Sequence, residues 1–175
     1  MKWPHLSTLL ACPTFPEYAI PQNVKVLFVC LGNICRSPLA EALFRESAER
    51  EGVQVEVDSA GTGSWHLGAP ADERSRATAA RRGLVLSHRA RQVRATDFED
   101  FDYLIAMDQD NFLHLKKLAA NEAQRKKVHL FREWDPAGTG DVPDPYYGTE
   151  EDFEMVAHLC ERSAQGLLAE LRNRN

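Results

Sequence analysis

Cysteine is scarce in this 175-residue chain: Cys12, Cys30, Cys35 and Cys160 are the only four, and none forms a CxxC pair. That excludes a disulfide-stapled scaffold and argues against a structural zinc site. No run approaches the roughly 18 apolar residues that a membrane span requires. Positive charge is not in excess either, since 21 Lys and Arg stand against 26 Asp and Glu, for a net charge of −5. General nucleic-acid binders gather cations against phosphate, so that class is set aside. What is present is 43% hydrophobic content, which suits one domain with a sizeable core. A single soluble domain from a reducing, cytoplasmic compartment is the expectation.

Residues 1–22 read differently from the rest: Pro4, Pro13, Pro16 and Pro21 interrupt them, with no period and few charges. They are expected to form an extension laid on the surface or partly disordered, ahead of a domain over 23–175. Leu9-Leu10-Ala11-Cys12 loosely resembles a lipoprotein cleavage site, but the apolar stretch before it is too short.

From residue 23 onward strands alternate with helices. Val24–Val29 is a β-branched, nearly continuous apolar run, as in a strand covered on both faces. Val53, Val55 and Val57 alternate with polar residues and predict a second strand nearer an edge; Asp102–Met107 and Lys127–Phe131 predict the third and fourth. Helical patterns occupy Pro38–Arg50, Asp72–Arg82 and Gln109–Leu118, and a last helix starts near Thr149 with Asp152 as its capping partner. Asp108 is placed to cap the helix that follows Met107. This alternation implies a parallel sheet with helices on both faces, where ligands sit beyond the carboxyl ends of strands. The end of the first strand is Cys30.

The stretch from Cys30 to Pro38 is Cys-Leu-Gly-Asn-Ile-Cys-Arg-Ser-Pro, a Cys-x5-Arg loop entering a helix with Pro38 as its expected first residue. Such a loop turns successive N–H groups inward and makes an anion site at the positive end of the helix. Gly32 is expected to supply a backbone conformation closed to most residues, and Asn33 tolerates the left-handed region. Arg36 offers a planar fork for two phosphate oxygens. The same positive field favours a thiolate at Cys30, to which Ser37 can donate a hydrogen bond. A nucleophile thus lies beneath a tetrahedral anion.

A leaving alkoxide or phenolate needs a proton, so a carboxylic acid must reach the pocket mouth. Asp141-Val-Pro-Asp-Pro-Tyr-Tyr-Gly148 holds Asp144 between two prolines, with Tyr146 and Tyr147 following. By itself this segment reads more readily as a rigid turn with a solvated aspartate and packed aromatics.

Together the two stretches resemble the low-molecular-weight protein tyrosine phosphatases: Val29–Pro38 is similar to that family's phosphate loop, and Asp144–Gly148 to its general-acid loop. The resemblance runs from Val24 to the final helix. It implies a three-layer domain with a four-stranded parallel sheet in the order 2-1-3-4. It also implies a phosphatase acting on phosphotyrosine in proteins, with phosphate or sulfate-like anions binding the pocket and no metal or cofactor. Cys30 would be the nucleophile, with Arg36 and the N–H groups of Leu31, Gly32, Asn33, Ile34 and Cys35 around the phosphate. Asp144 would be general acid and then base.

Further roles are implied position by position. Asn33 resembles a loop-stiffening asparagine held by partners matching Ser37, Ser59 and His88. On the residues alone, His88 is an ordinary loop histidine and Ser59 ends the second strand. Cys35 matches a second cysteine able to form a reversible disulfide with Cys30. Trp65 occupies the rim position, and with Tyr146 and Tyr147 would sandwich a phenyl ring and set a pocket depth that phosphoserine cannot span. Ile34 stands where relatives acting on phosphoarginine carry threonine, which favours aryl phosphate. A monomer is expected.

Two other readings differ in class. A thiol-dependent arsenate reductase on the same fold needs further cysteines on a mobile segment, and none occurs between residues 36 and 159. A non-catalytic phosphotyrosine-binding module would not need the acid Asp144.

Overall fold

The computed structural model describes residues 23–173. The expectations for residues 1–22, including the site at Cys12, lie outside the described residues. Strand β1 (Val24–Cys30) is followed by helix α1 (Arg36–Arg50), β2 (Val55–Gly61) and α2 (Glu73–Ala80). Next come α3 (Asp97–Asp100), β3 (Tyr103–Ala106), α4 (Gln109–Leu118), α5 (Glu122–Arg125), β4 (Val128–Leu130) and α6 (Glu150–Asn173). A 3-10 turn at Phe131–Trp134 leads out of β4.

The strands form one parallel sheet in the order β2-β1-β3-β4, as expected. Central β1 is apolar on both sides because both are covered. Val26, Phe28 and Cys30 face a layer that includes Leu39 and Phe44 of α1 and Val156, Cys160 and Leu167 of α6. Alternate residues Leu27 and Val29 face the opposite layer with Phe98, Leu104 and Leu115. Phe28 meets Phe44 and Phe131 edge-on at centroid distances of 5.5 and 4.9 Å. Thr149 and Asp152 cap α6 as expected, the Thr149 N–H donating to Asp152 Oδ2 at 2.6 Å.

Three expectations need correction. Helix α1 begins at Arg36, not Pro38, with Cys35 as its N-cap. A proline two residues inside is tolerated because the first turn's N–H groups have no helical acceptor anyway. Strand β2 starts at Val55 and runs through Ser59 to Gly61, paired with β1 from Val24↔Val55 to Cys30↔Gly61. Ser59 therefore lies within the strand, and Val53 precedes it. Its last residues break the alternating pattern because Ser59, Ala60 and Gly61 are all buried. The one-turn elements α3, α5 and the 3-10 turn were not foreseen, being too short to show a helical period.

Candidate active site

The loop between β1 and α1 is best understood through its carbonyls. Those of Cys30 and Leu31 accept from the N–H groups of Thr62 and Gly63, at 2.8 and 2.9 Å. Asn33 O accepts from His88 Nε2 at 2.8 Å, Ile34 O from the Asp72 N–H at 2.8 Å and Cys35 O from Ser75 Oγ at 2.6 Å. In each planar peptide the N–H points opposite the carbonyl. With these carbonyls tied to the surrounding protein, the N–H groups of Leu31, Gly32, Ile34, Cys35 and Arg36 turn inward. The Asn33 N–H donates to Cys30 Sγ at 3.2 Å, and Ser37 Oγ lies 3.1 Å from the same sulfur. The result is a ring of donors around one thiol at the start of a 15-residue helix.

Asn33 keeps this ring in shape. Its φ of 55° is the left-handed residue of the loop. Gly32 does not have that conformation, contrary to expectation; its lack of a side chain matters because a Cβ would meet His66 Cδ2 at 3.1 Å. Asn33 Nδ2 donates to Ser37 Oγ at 2.9 Å and Ser59 Oγ at 3.0 Å, while Oδ1 accepts from the Arg91 N–H at 2.9 Å. Since a backbone N–H can only donate, the amide orientation is determined. Ser59 Oγ donates in turn to Glu41 Oε2 at 2.7 Å, and Arg45 Nη2 donates to Glu41 Oε1 at 2.6 Å. Gly61 backs the loop closely: a Cβ there would lie 2.8 Å from Leu31 O.

Arg36 is almost wholly buried, at 2% exposure. Its Nη1 donates to Asp108 Oδ2 at 2.5 Å and to Val142 O at 3.1 Å, and its Nη2 to Asp144 Oδ2 at 2.9 Å. Burial opposes its charge, but the Cys30 sulfur, Asp144 and Asp108 outweigh that and hold the guanidinium more firmly protonated than usual. Arg36 Nε is buried and has no acceptor among the described residues. Burial pushes the Cys35 thiol up, with Asp72 adding to the effect. Cys160, inside α6, is raised in the same way by complete burial.

These groups open on a cleft of about 470 Å³. Cys30, Ile34 and Arg36 form its lower wall; Trp65, His66, Asp144, Tyr146 and Tyr147 form the mouth. Trp65 and Tyr147 are 73% and 98% exposed. A wider, shallower depression between α2 and α6, lined by Arg81, Glu154 and His158, carries mixed charge without a nucleophile. Among the described residues no cluster of three His, Cys, Asp or Glu could hold a metal ion, and no helix is long and apolar enough to cross a membrane.

The site-residue expectations thus converge on one cleft or on the network behind it. Sequence reading missed other contributors. Asp108 does cap α4, accepting from the Asn111 N–H at 2.8 Å, but its second oxygen holds Arg36. Arg74 grips Asp72 and donates to the carbonyls of Tyr146 and Gly148 at 3.0 and 3.2 Å, joining the two loops. That pairing holds the Asp72 carboxyl below its ordinary range. The four-residue spacing of Glu41 and Arg45 on a helix was the one readable trace of the network behind Ser59.

A three-layer α/β fold with a thiol inside a ring of N–H donors, an arginine and a carboxylate defines a class: proteins that grip a tetrahedral oxyanion over a cysteine. Comparison with known proteins narrows this. The profile of the low molecular weight phosphotyrosine protein phosphatase family matches residues 25–175. A low molecular weight protein-tyrosine-phosphatase of Streptomyces coelicolor is 47% identical over 85% of this chain and 93% of its own length. The human low molecular weight phosphotyrosine protein phosphatase is 41% identical over 82% of this chain and 92% of its own. The crystal structure of a protein tyrosine phosphatase from Entamoeba histolytica with Hepes in the active site superposes with a TM-score of 0.84. It is 38% identical, covering 87% of this chain and 99% of that one. The chain belongs to the low molecular weight phosphotyrosine protein phosphatase family.

Proposed function

We propose that this protein hydrolyses phosphotyrosine in proteins by two displacements through a phosphocysteine. Cys30 thiolate attacks phosphorus, forming the S–P bond as the aryl O–P bond breaks, and Asp144 gives its proton to the departing phenolate. Water then attacks the phosphocysteine, Asp144 takes back a proton, and the S–P bond breaks to release phosphate and the thiolate. Arg36 and the loop N–H groups carry the equatorial oxygen charge throughout. That preorganised field supplies what a metal would otherwise provide.

The observation that carries this reading is Cys30 Sγ, which accepts from the Asn33 N–H within a loop whose carbonyls are tied outward, sharing one cleft with a buried Arg36 whose Nε has no acceptor among the described residues. The names of the relatives from Streptomyces coelicolor and human support the substrate class. Trp65, Tyr146 and Tyr147 flank the mouth as walls for an aromatic ring, and Ile34 offers the ring an apolar contact. Cys35 serves as the resolving thiol if Cys30 is oxidised. The reaction runs in the reducing cytoplasm, where Cys30 stays free, in a monomer whose catalytic domain follows an N-terminal extension.

Turnover of a phosphotyrosine peptide tests the scheme. Cys30→Ser abolishes it, and Asp144→Asn loses roughly 10²–10⁴-fold in rate. Full activity in Cys30→Ser would end the mechanism, and arsenate-dependent oxidation of added thiol would replace it with a reductase.

A further inference from the structure

The segment that leads to Asp144 has little intrinsic reason to hold one shape until it reaches Val142 and the two prolines that flank the acid. Residues 136–141 are all exposed, and Gly138 and Gly140 adopt φ values of 127° and 137°. Such backbone has many conformations to lose. At its far end the Val142 N–H donates to Met107 O at 2.7 Å, and Val142 O accepts from Arg36.

The near end is held by charge. The Asp135 side chain is fully buried, with 0% exposure. Its Oδ1 accepts from Arg162 Nε and from the Ala137 N–H, both at 2.9 Å. Its Oδ2 accepts from Arg162 Nη2 at 2.9 Å and Arg132 Nε at 3.2 Å. Arg132 then reaches over the loop, donating through Nη2 to Gly138 O at 2.9 Å and through Nη1 to Asp141 O at 3.2 Å. The Asp141 carboxylate in turn accepts from the Gln109 N–H at 3.0 Å, next to Asp108. Arg162 lies on α6, two residues beyond Cys160, whose helix packs against the β1 face that ends in Cys30.

We propose that Arg162, Asp135 and Arg132 form a latch that positions the general-acid loop, so that Asp144 meets the leaving oxygen at the cleft mouth. The three residues touch no reacting atom; they act through the backbone of residues 137–141. This inference rests on the assignment of Asp144 as the acid.

Leaving-group dependence separates positioning from general damage. Dinitrophenolate departs from phosphorus without a proton, whereas unsubstituted phenolate needs one. We compare kcat/KM, which reports the first displacement, for 2,4-dinitrophenyl phosphate and phenyl phosphate in Arg132→Met, Asp135→Asn and Asp144→Asn. A loosened acid should lower the phenyl phosphate value about tenfold or more in Arg132→Met and Asp135→Asn, and the dinitrophenyl value by less than about twofold. Asp144→Asn shows the same pattern at larger amplitude. Equal losses on both substrates, or no loss on either, overturn the latch. If Asp144→Asn itself fails to distinguish the substrates, the acid assignment falls instead. Arg132→Met leaves the Arg162–Asp135 pair intact and carries the test if Asp135→Asn does not fold.

Discussion

The two loops that meet at the cleft are fastened by different chemistry. The phosphate loop is held by main-chain bonds and by short neutral side chains: Asn33, Ser37, Ser59 and Ser75 are all buried. The acid loop is largely exposed and held at its ends by guanidinium groups, those of Arg132 and Arg162 on one side and Arg36 and Arg74 on the other. The difference follows from what each loop must do. Donors aimed at developing charge work best when fixed before the anion arrives, since no reorganisation then opposes the reaction. An acid that gives a proton and later takes one must stay in contact with water and admit a departing group. One loop is therefore set by burial, the other by charge.

The largest break in that comparison comes at Asn33. Asn33→Ala removes the hydrogen bonds of a buried amide and leaves a left-handed φ on a residue that disfavours it. The expected loss is roughly 10²-fold in kcat/KM, the scale of one misplaced oxyanion donor. Asn33→Gly restores the backbone freedom but not the amide, so it should be more stable than Asn33→Ala by about 1 kcal/mol while remaining as inactive. Denaturant melts beside the activity assay check both. A fully active glycine variant would mean that conformation alone matters at this position.

How much of this was legible beforehand depended on whether a feature is local. The extent of α4, Gln109–Leu118, and the presence of a loop from Cys30 into a helix were read correctly because the information lies within a few residues, although that helix starts two residues earlier than expected. Strand order came from resemblance, not from pattern. The roles of Asp135, Arg162 and Arg74 were invisible because each acts on a partner distant in sequence, and charged residues ordinarily read as solvated surface; Glu41 showed only its four-residue spacing from Arg45, not its bond to Ser59. Gly32 was misjudged for a related reason. Its role is to make room for His66, a neighbour 34 positions away that no local rule predicts.

Acid titration sharpens the contrast at intermediate size. The Arg162 guanidinium lowers the Asp135 carboxyl from an ordinary 3.8 to about 2, with the Ala137 N–H and Arg132 contributing. A carboxyl depressed in the folded state stabilises it at pH values above the ordinary one, and the benefit is lost as pH falls toward the folded value. Asp135→Asn should thus cost about 2 kcal/mol of unfolding free energy at neutral pH. The gap to wild type should close between about pH 4 and 2. The cost of Asn33→Gly should stay constant over the same range, because no ionisable group is removed. Urea melts at several pH values measure both. A pH-independent deficit in Asp135→Asn would mean that the cluster acts by packing, not charge.

The smallest effect belongs to Trp65, the rim residue that lies on neither loop. The Trp65 ring lies so close over Gly63 that no side chain would fit beneath it, yet it remains 73% exposed. It therefore has one face fixed by backbone and another available to a substrate ring. Stacking of that kind contributes about 1 kcal/mol, so Trp65→Ala should raise KM for a phosphotyrosine peptide by less than about tenfold with kcat unchanged. Inhibition by inorganic phosphate, which has no ring, should not change at all. Weaker phosphate inhibition in Trp65→Ala would show that Gly63, whose N–H holds Leu31 O, passes rim disturbance into the donor ring. The rim would then belong with the buried loop, and the division between a fixed cradle and an adjustable mouth would have to be drawn further out.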